Sequence, residues 1–312
     1  MEFKNITVAG GGVLGSQIAF QAAYKGFNVT IWLRSEGSIG RTQPKLERVK
    51  GIYLATLEAM KTDPLAYMPG LTDKKDLTEA EIDALKEKVL QAAESIELTT
   101  SYEEACADCD LVIESIAEIP QEKIAFYTEL AKYLSEKTVI ATNSSTMMPS
   151  TFAQYTGRPE KYLALHFAND IWHFNIGEVM GHPGTDPKYY EQVAEFAQAI
   201  GMVPIRLKKE QPAYILNTLL SPYLNAAQYL FATGVAGVED IDRCWEIGTG
   251  AIVGPFKALD MIGLTTAYNI VSMHPDSKDP NSYMGIIATM LEGRIAEGKL
   301  GVSTGEGFYK YN

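Results

Sequence analysis

Two residues with acid–base chemistry lie close together in the middle of the sequence. His166 ends a predicted strand, in the segment His166-Phe167-Ala168-Asn169, and Glu178 follows twelve residues later. A histidine titrates near neutral pH and can pass a proton to or from a substrate oxygen, while a carboxylate orients the imidazole and stabilises its charged form. The pair indicates a general acid–base site, although a histidine at a strand end is often only a buried structural residue.

A glycine-rich turn near the start of the sequence points to a bound dinucleotide. Three glycines, at 10, 12 and 15, stand between a predicted strand, Asn5–Ala9, and a predicted helix over 16–25. The first permits a sharp turn, the second lets backbone N–H groups approach a pyrophosphate, and the third allows the helix to pack closely on the strand. The motif predicts a cofactor site that includes Gly10, Gly12, Val13, Leu14 and Gly15.

The residues at the end of the second predicted strand, over 28–33, bear on the choice of cofactor. NAD sites usually carry an acid there that hydrogen-bonds the ribose hydroxyls. This chain has Leu33, Arg34 and Ser35 instead. Leu33 cannot accept those hydrogen bonds, whereas Arg34 with Ser35 could hold a 2′-phosphate. We expect NADP(H) to be favoured over NAD(H); if Arg34 is solvated or stacks on the adenine, the cofactor stays undecided.

The elements that must position these residues alternate between strands and helices, as βαβ units do. Further strands are predicted over 111–115, 138–142, Tyr162–Phe167, 178–181 and 202–207, and further helices over 120–134 and 186–200. Two more helices, over 43–61 and 78–95, are predicted as an insertion between strands of the sheet. The second begins with a capping box from Thr78 to Glu81. The pattern predicts an α/β Rossmann-type N-terminal domain with an inserted helical hairpin.

From Pro212 onward the pattern is helix, turn, helix, which predicts an all-α C-terminal domain. We place the boundary between 208 and 209, so that 1–208 is the dinucleotide-binding domain and 209–312 the helical substrate and dimerisation domain. Residues 211–238 carry no charge, but the polar groups of Asn217 and Asn225 and the proline Pro222 argue against a membrane span. We expect a helix buried in protein on most sides, with one face in a homodimer interface.

The composition limits the partners and the location of the protein. With 27 basic and 39 acidic residues, the 312-residue chain has a formal charge of −12, which argues against a nucleic-acid-binding surface. Three cysteines are too few for a secreted disulfide framework and no signal peptide is evident, so we expect a cytoplasmic protein. Cys106 and Cys109 form a CxxC without a second ligand pair, which predicts two ordinary helix residues and no metal site.

Several further motifs follow one another along nearly the whole chain. They are Asn143-Ser144-Ser145-Thr146, His166-Phe167-x-Asn169, Glu178, Pro212-x-x-x-x-Asn217, Val253-Gly254-Pro255-Phe256-x-x-Leu259-Asp260 and Thr304-Gly305-Glu306-Gly307-Phe308-Tyr309. Together with the glycine-rich turn, this set resembles the L-3-hydroxyacyl-CoA dehydrogenases. The resemblance implies an oxidoreductase that interconverts a 3-hydroxyacyl-CoA, of the short-chain 3-hydroxybutyryl-CoA type, and the 3-oxoacyl-CoA by hydride transfer to or from a nicotinamide cofactor.

The resemblance also implies a role for each matching residue. His166 matches the family's general acid/base and Glu178 the carboxylate paired with it, while Ser145 and Asn217 match the hydrogen-bonding groups for the substrate's 3-oxygen. The implied cofactor contacts beyond the glycine-rich turn are Glu118, Lys123 and Asn143. Simpler interpretations exist: a loop hydroxyl for Ser145, a buried helix polar group for Asn217, and surface charges for Glu118 and Lys123.

The segment after His166 departs from the family pattern. The family usually has His-Phe-Phe-Asn-Pro followed by small or apolar residues, whereas this chain has Asp170, Trp172 and His173. We expect these residues to alter the wall beside the reacting carbon, which leaves open a reductase of non-CoA β-keto acids or esters. A non-catalytic structural or sensor protein on a Rossmann scaffold is a third alternative, and the joint presence of all four catalytic candidates argues against it.

A basic strip over 41–50 interrupts the acidic chain. It holds Arg41, Lys45, Arg48 and Lys50 against a single acid, Glu47. One interpretation is that Lys45, Arg48 and Lys50 attract the phosphates of coenzyme A or of the cofactor. The other, given equal weight, is a solvated helix face.

Overall fold

The computed structural model describes residues 3–311, and the chain divides into two compact units between Ile215 and Leu216. This division lies a few residues after the predicted boundary between 208 and 209. The reason is local packing, because Tyr214 is buried in one cluster with Ala164 and Met180 of the first unit. The chain therefore leaves the first unit only after Tyr214.

The first unit is built on one twisted sheet. Its strands are β1 Asn5–Ala9, β2 Asn28–Trp32, β3 Glu97–Thr99, β4 Leu111–Glu114, β5 Val139–Thr142, β6 Tyr162–Phe167, β7 Ile176–Met180 and β8 Val203–Leu207. In the described part of the chain their order across the sheet is β3-β2-β1-β4-β5-β6-β7-β8. Neighbours are parallel except β6 and β7, which run antiparallel. Fully buried apolar side chains on the central strands hold the sheet between helices, as in other parallel sheets.

The helices of this unit are α1 Val13–Tyr24, α2 Glu36–Ala59, α3 Glu79–Ser95, α4 Tyr102–Cys106, α5 Pro120–Leu130 and α6 Pro187–Ala199. The predicted hairpin is present, because α2 and α3 pack on each other and on α1. The predicted capping box forms at α3, where the Glu81 carboxylate accepts the backbone N–H of Thr78 at 2.8 Å and the Thr78 hydroxyl accepts that of Glu81 at 3.3 Å. The α/β Rossmann-type fold is confirmed.

The bounds of two short elements, β3 and α4, were not predicted, because three and five residues are too few to show a period. α4 ends at Cys106, and Cys109 lies beyond it, so the prediction of two helix residues is right for Cys106 and wrong for Cys109. Both cysteines are buried. Burial raises the pKa of the Cys106 thiol to about 11 and that of the Cys109 thiol to about 12.

The second unit is helical. α7 Tyr214–Ala232 begins in the first unit and continues into the second, where α8 Val238–Thr249, α9 Pro255–Ile262, α10 Leu264–Ser272 and α11 Tyr283–Ala296 follow. The Asp260 carboxylate fixes the C-terminal segment, since it accepts the backbone N–H groups of Phe308 and Tyr309 at 2.7 and 2.8 Å. The predicted all-α C-terminal domain is confirmed.

α7 differs from its prediction in length and in burial. The helix ends at Ala232, before 238. Leu224 and Ala227 lie in the core of the second unit, but Leu219 is 69% exposed and Leu230 is 40% exposed. The prediction of burial on most sides is therefore wrong for the single chain. Among the described residues, no helix is long and apolar enough to cross a membrane.

Candidate active site

The glycine-rich turn connects β1 to α1 with the geometry that its sequence predicts. Gly10 has a φ of 112°, in the left-handed region that favours glycine, and a Cβ there would clash with the carbonyl of Ser115. A Cβ at Gly15 would clash with the carbonyl of Gly10. A Cβ at Gly12, by contrast, would meet nothing within 4 Å. The protein itself leaves space at Gly12, beside the free N–H groups of the first turn of α1, where an approaching pyrophosphate fits.

A cavity of about 700 Å³ opens beside this turn. It is lined by all three residues of Gly10–Gly11–Gly12, by the end of β2, by residues 115–117 that follow β4, and by Arg34, Ser38, Arg41, Lys45 and Glu122. Its size and glycine wall suit a dinucleotide. The chain can therefore hold the cofactor that the glycine-rich turn predicts.

The two residues predicted to bind a 2′-phosphate, Arg34 and Ser35, have different positions and partners. Arg34 lines it, with an Nη1 atom 3.4 Å from a carboxylate oxygen of Glu122. Ser35 is the N-cap of α2 and its hydroxyl lies 3.0 Å from that of Ser38. Arg41 donates to the Ser38 hydroxyl at 2.8 Å. Arg41, a member of the predicted basic strip, lines the cavity, and so does Ser38, which was not predicted. Ser38 was missed because the predicted helix began at 43, whereas α2 begins at Glu36.

The basic residues of the strip over 41–50 do not all face the cavity. Lys45 lines the same cavity and donates to the carbonyl of Arg41 at 2.6 Å. Lys50 pairs with Glu47 at 2.5 Å, one helical turn away. Arg48 is exposed. Only the N-terminal part of the strip therefore faces the cavity.

The acid–base pair is fixed by strand register. His166 on β6 is the direct antiparallel partner of Glu178 on β7, so both side chains emerge on the same side of the sheet. The imidazole Nδ1 lies 2.9 Å from a Glu178 carboxylate oxygen, and Nε2 lies 3.2 Å from the Ser145 hydroxyl. Both members of the pair are buried. With Glu178 ionised, Nδ1 donates to the carboxylate and Nε2 is left to accept a proton.

One residue of this site, Tyr214, was not predicted. Its ring stacks on the imidazole of His166, with centroids 4.3 Å apart and planes 11° from parallel. Its hydroxyl donates to the carbonyl of Ser144 at 2.8 Å, and burial raises the pKa of this phenol. The next residue, Ile215, donates its backbone N–H to the second oxygen of Glu178 at 2.8 Å. The residue types and spacing of this segment do not predict the stacking of Tyr214 on His166, because that contact depends on the backbone conformation.

A buried carboxylate at the end of β4, Glu114, connects this strand to α5 and to the end of β5. It accepts hydrogen bonds from Lys123 at 2.6 Å, from the backbone N–H of Ile116 at 2.9 Å, and from the hydroxyls of Tyr127 and Thr142 at 2.7 Å each. Burial and the Glu114 charge raise the pKa of Tyr127 well above its usual value. This network fixes the start of the loop that carries Glu118 and ends, at Thr142, one residue before Asn143.

Lys123 and Glu118 are not equivalent members of this region. Lys123 has no exposed side-chain surface, and its ammonium lies 3.8 Å from Glu118, so the surface-charge interpretation is wrong for Lys123. Glu118 is 42% exposed and accepts from the Ser144 hydroxyl at 2.8 Å. Asn143 accepts the backbone N–H of Phe167 at 3.1 Å, which ties the loop after β5 to the end of β6. The cofactor contacts of all three remain predictions.

The departures after His166 lie in different surroundings. Trp172 is buried in the main core beside Tyr53, with ring centroids 5.5 Å apart, so its expected place in the substrate wall is wrong. Asp170, with a φ of 56°, donates its backbone N–H to Gln17 at 2.9 Å. His173 stacks on the neighbouring Phe174. Trp172 belongs to the packing of the fold.

Asn217 lies on α7 in the second unit, and its role remains a prediction. Over residues 3–311, no group of three or more histidines, cysteines and acids is arranged to hold a metal ion.

Comparison with known proteins places the whole chain in one family. Residues 5–211 match the family description "3-hydroxyacyl-CoA dehydrogenase, NAD binding domain", and residues 214–311 match "3-hydroxyacyl-CoA dehydrogenase, C-terminal domain". The mitochondrial hydroxyacyl-coenzyme A dehydrogenase of Sus scrofa is 33% identical over 310 residues, which cover 99% of this chain and 91% of that protein. A probable 3-hydroxybutyryl-CoA dehydrogenase of Deinococcus radiodurans is 30% identical over 97% of this chain and 99% of its own.

Solved structures of similar sequence have the same fold over the full length of the chain. A structure described as "Substrate-directed dual catalysis of dicarbonyl compounds by diketoreductase" is 43% identical, with a TM-score of 0.86 and full coverage of both chains. FadB2 of M. tuberculosis is 26% identical, with a TM-score of 0.78 and 99% coverage of both chains. The match to both family domains, in order and along nearly its entire length, shows that this chain belongs to the 3-hydroxyacyl-CoA dehydrogenase family.

Proposed function

We propose that the protein interconverts a 3-hydroxyacyl-CoA and the corresponding 3-oxoacyl-CoA by hydride transfer, with short-chain substrates of the 3-hydroxybutyryl-CoA type. The observation that carries this proposal is the row Glu178–His166–Ser145. Its imidazole has Nδ1 against the Glu178 carboxylate and Nε2 beside the Ser145 hydroxyl, so Nε2 is the nitrogen that faces away from the carboxylate and can exchange a proton. Such a row suits proton transfer at a substrate oxygen.

In the oxidative direction, Nε2 of neutral His166 accepts the proton of the 3-hydroxyl while the hydride leaves carbon 3. Glu178 stabilises the imidazolium that forms. In the reductive direction, the imidazolium returns its proton to the new alkoxide, and the Ser145 hydroxyl and the Asn217 amide hydrogen-bond that oxygen. The nicotinamide, when bound, supplies or accepts the hydride.

The residues that would hold the cofactor fall into two groups. Backbone N–H groups of the glycine-rich turn would bind the pyrophosphate, with Gly10, Gly12, Val13, Leu14 and Gly15 as its members. Asn143 and Glu118 would contact the nicotinamide end. Because Lys123 is fully buried, we assign its part in cofactor binding to its support of Glu118.

The preference for NADP(H) over NAD(H) is part of the proposal. Leu33 stands where an acid would bind the ribose hydroxyls, and Arg34, Arg41 and Lys45 give the cavity three basic groups near that position. Ser35 supports this edge through Ser38. Glu122 opposes the preference for NADP(H), because its carboxylate pairs with Arg34 and its negative charge would repel a 2′-phosphate.

A second candidate function has a specific observation in its favour. The diketoreductase structure, described for dicarbonyl compounds, is 43% identical to this chain over its full length. Reduction of non-CoA β-keto acids or esters would use the same row of residues. Lys45, Arg48 and Lys50 would then have no coenzyme A to contact.

The deciding experiment is a panel of 3-oxoacyl-CoA thioesters and free β-keto acids and esters, run with NADH and with NADPH. Higher kcat/KM with short thioesters supports the first function, and higher values with free acids or esters support the second. Neutralising Lys45, Arg48 and Lys50 together should raise KM for a thioester and leave KM for a free acid unchanged. Absence of turnover with every substrate would contradict both and favour a non-catalytic role.

We also propose a homodimer formed through the helical unit, for which the exposed apolar side chains Leu219 and Leu230 of α7 are the support. Light scattering at micromolar concentration tests it, and a monomeric mass would contradict it. A cytoplasmic location stays a prediction.

A further inference from the structure

The Tyr214 side chain contacts His166 of the acid–base row and the loop that carries Ser145. Its ring covers one face of the His166 imidazole, nearly parallel and 4.3 Å away between centroids. Its hydroxyl donates to the carbonyl of Ser144, the residue before Ser145. The side chain is 1% exposed, so water does not compete for either contact. One side chain therefore joins the imidazole to the loop that carries its hydroxyl partner.

The backbone that delivers this side chain is strained. Ala213 and Tyr214 have φ values of 62° and 54°, in the left-handed region that residues with a Cβ seldom occupy. Two such residues in succession persist only where their surroundings hold them, and strain of this kind concentrates at functional sites. Here the turn directs the ring of Tyr214 inward and aims the next N–H, that of Ile215, at Glu178.

These contacts restrict the imidazole in the directions that its own hydrogen bonds leave open. Glu178 and Ser145 hold the two nitrogens within the plane of the ring, at 2.9 and 3.2 Å. They do little to stop the ring from tilting out of that plane. A parallel aromatic ring against one face opposes that tilt and adds stacking energy.

We propose that Tyr214 is a positioning residue for the acid–base pair, one that keeps Nε2 of His166 aligned with the Ser145 hydroxyl and the substrate oxygen. The proposal rests on the proposed function, because alignment matters only if His166 transfers the proton. Tyr214 itself takes no part in proton transfer.

The test uses three variants of Tyr214. Tyr214→Leu and Tyr214→Met remove the ring, and Tyr214→Phe keeps the ring and removes only the hydroxyl bond to Ser144. We expect the ring-less variants to lower kcat by about tenfold or more, as small misplacements of catalytic groups do. Tyr214→Phe should retain most of the wild-type kcat. The dissociation constant for the reduced cofactor, from its fluorescence, should stay unchanged in all three.

Tyr24→Leu is the matched control. Tyr24 is a buried tyrosine whose hydroxyl donates to the carbonyl of Leu71 at 3.1 Å and whose ring meets that of Tyr53 edge-on. Its loss should lower the melting temperature and leave kcat unchanged. A merely structural role for Tyr214 predicts the same behaviour for Tyr214→Leu.

Two results would overturn the proposal: wild-type kcat in a folded ring-less variant, or a kcat for Tyr214→Phe as low as that for Tyr214→Leu. If Tyr214→Leu does not fold, Tyr214→Met decides the first point. His166→Gln separates this proposal from the function on which it rests. Full turnover in His166→Gln contradicts the function, whereas loss of turnover there with no effect in Tyr214→Met contradicts only the positioning role.

Discussion

A Glu114 carboxylate oxygen lies 2.6 Å from the Lys123 ammonium, and neither side chain has any exposed surface. The pair joins the end of β4 to the first turns of α5, and the Lys123 ammonium also lies 3.8 Å from Glu118. A buried charge without its partner is costly, so the two residues depend on each other. Replacing both should therefore cost less stability than the sum of the two single replacements.

We expect Glu114→Gln or Lys123→Met to lower the free energy of unfolding by about 3–5 kcal/mol each. The double variant should lose less than the sum, because it leaves no unpaired charge. Urea unfolding of the four proteins in a double-mutant cycle measures this coupling. Additive losses would show that the two charges do not stabilise each other.

His166→Gln should remove most turnover, by a factor of about 10² or more, because general acid–base catalysis contributes on that scale. Glutamine keeps polarity and approximate size, so folding and cofactor binding should persist. Steady-state rates and cofactor fluorescence titrations check the two parts separately. Near-normal turnover would refute His166 as the acid–base group.

Cofactor choice should respond to Glu122, which pairs with Arg34 at 3.4 Å on the edge of the cavity. Glu122→Gln frees Arg34 and removes a negative charge, so we expect the KM for NADPH to fall severalfold and that for NADH to change little. Arg34→Ala should raise the KM for NADPH by about tenfold, the loss expected for a charged hydrogen bond. Equal effects on both cofactors would count against a 2′-phosphate site at Arg34.

The buried thiols predict a decline in stability at alkaline pH. Burial raises the pKa of Cys109 to about 12, whereas a thiol in the unfolded chain titrates near pH 8.5. Above roughly pH 8.5 the unfolded state loses its proton first, so this contribution to stability decreases as the pH rises toward the folded pKa. Urea unfolding at pH 7.5 and pH 10 should show a smaller decrease for Cys109→Val than for the wild-type protein. The same decrease in both would exclude this cause.

Alkylation gives an independent check on the cysteines. Cys244 is exposed while Cys106 and Cys109 are buried. We expect iodoacetamide to modify Cys244 alone in the folded protein and all three cysteines in urea. Rapid labelling of Cys106 in the native state would contradict the buried placement.

Local signals in the sequence were enough to predict much of this molecule. The alternation of strands and helices, the capping box at Thr78 and the glycine spacing at 10, 12 and 15 each depend on residues within one or two turns of each other. For that reason the Rossmann-type domain, its hairpin and the helical C-terminal part could be predicted. The three-residue strand β3 and the bounds of the five-residue helix α4 could not, because segments as short as these show no period of their own.

The sequence by itself determined the family and the candidate acid–base pair, since His166 and Glu178 fall within motifs that keep a fixed order along the chain. Only the tertiary structure decided how these residues are held. Register between β6 and β7 sets the distance from His166 to Glu178. Two left-handed residues bring Tyr214 onto the imidazole, and burial turns Lys123 from an expected surface charge into the partner of Glu114. These relationships depend on backbone angles and on contacts between distant segments, which spacing along a chain does not encode.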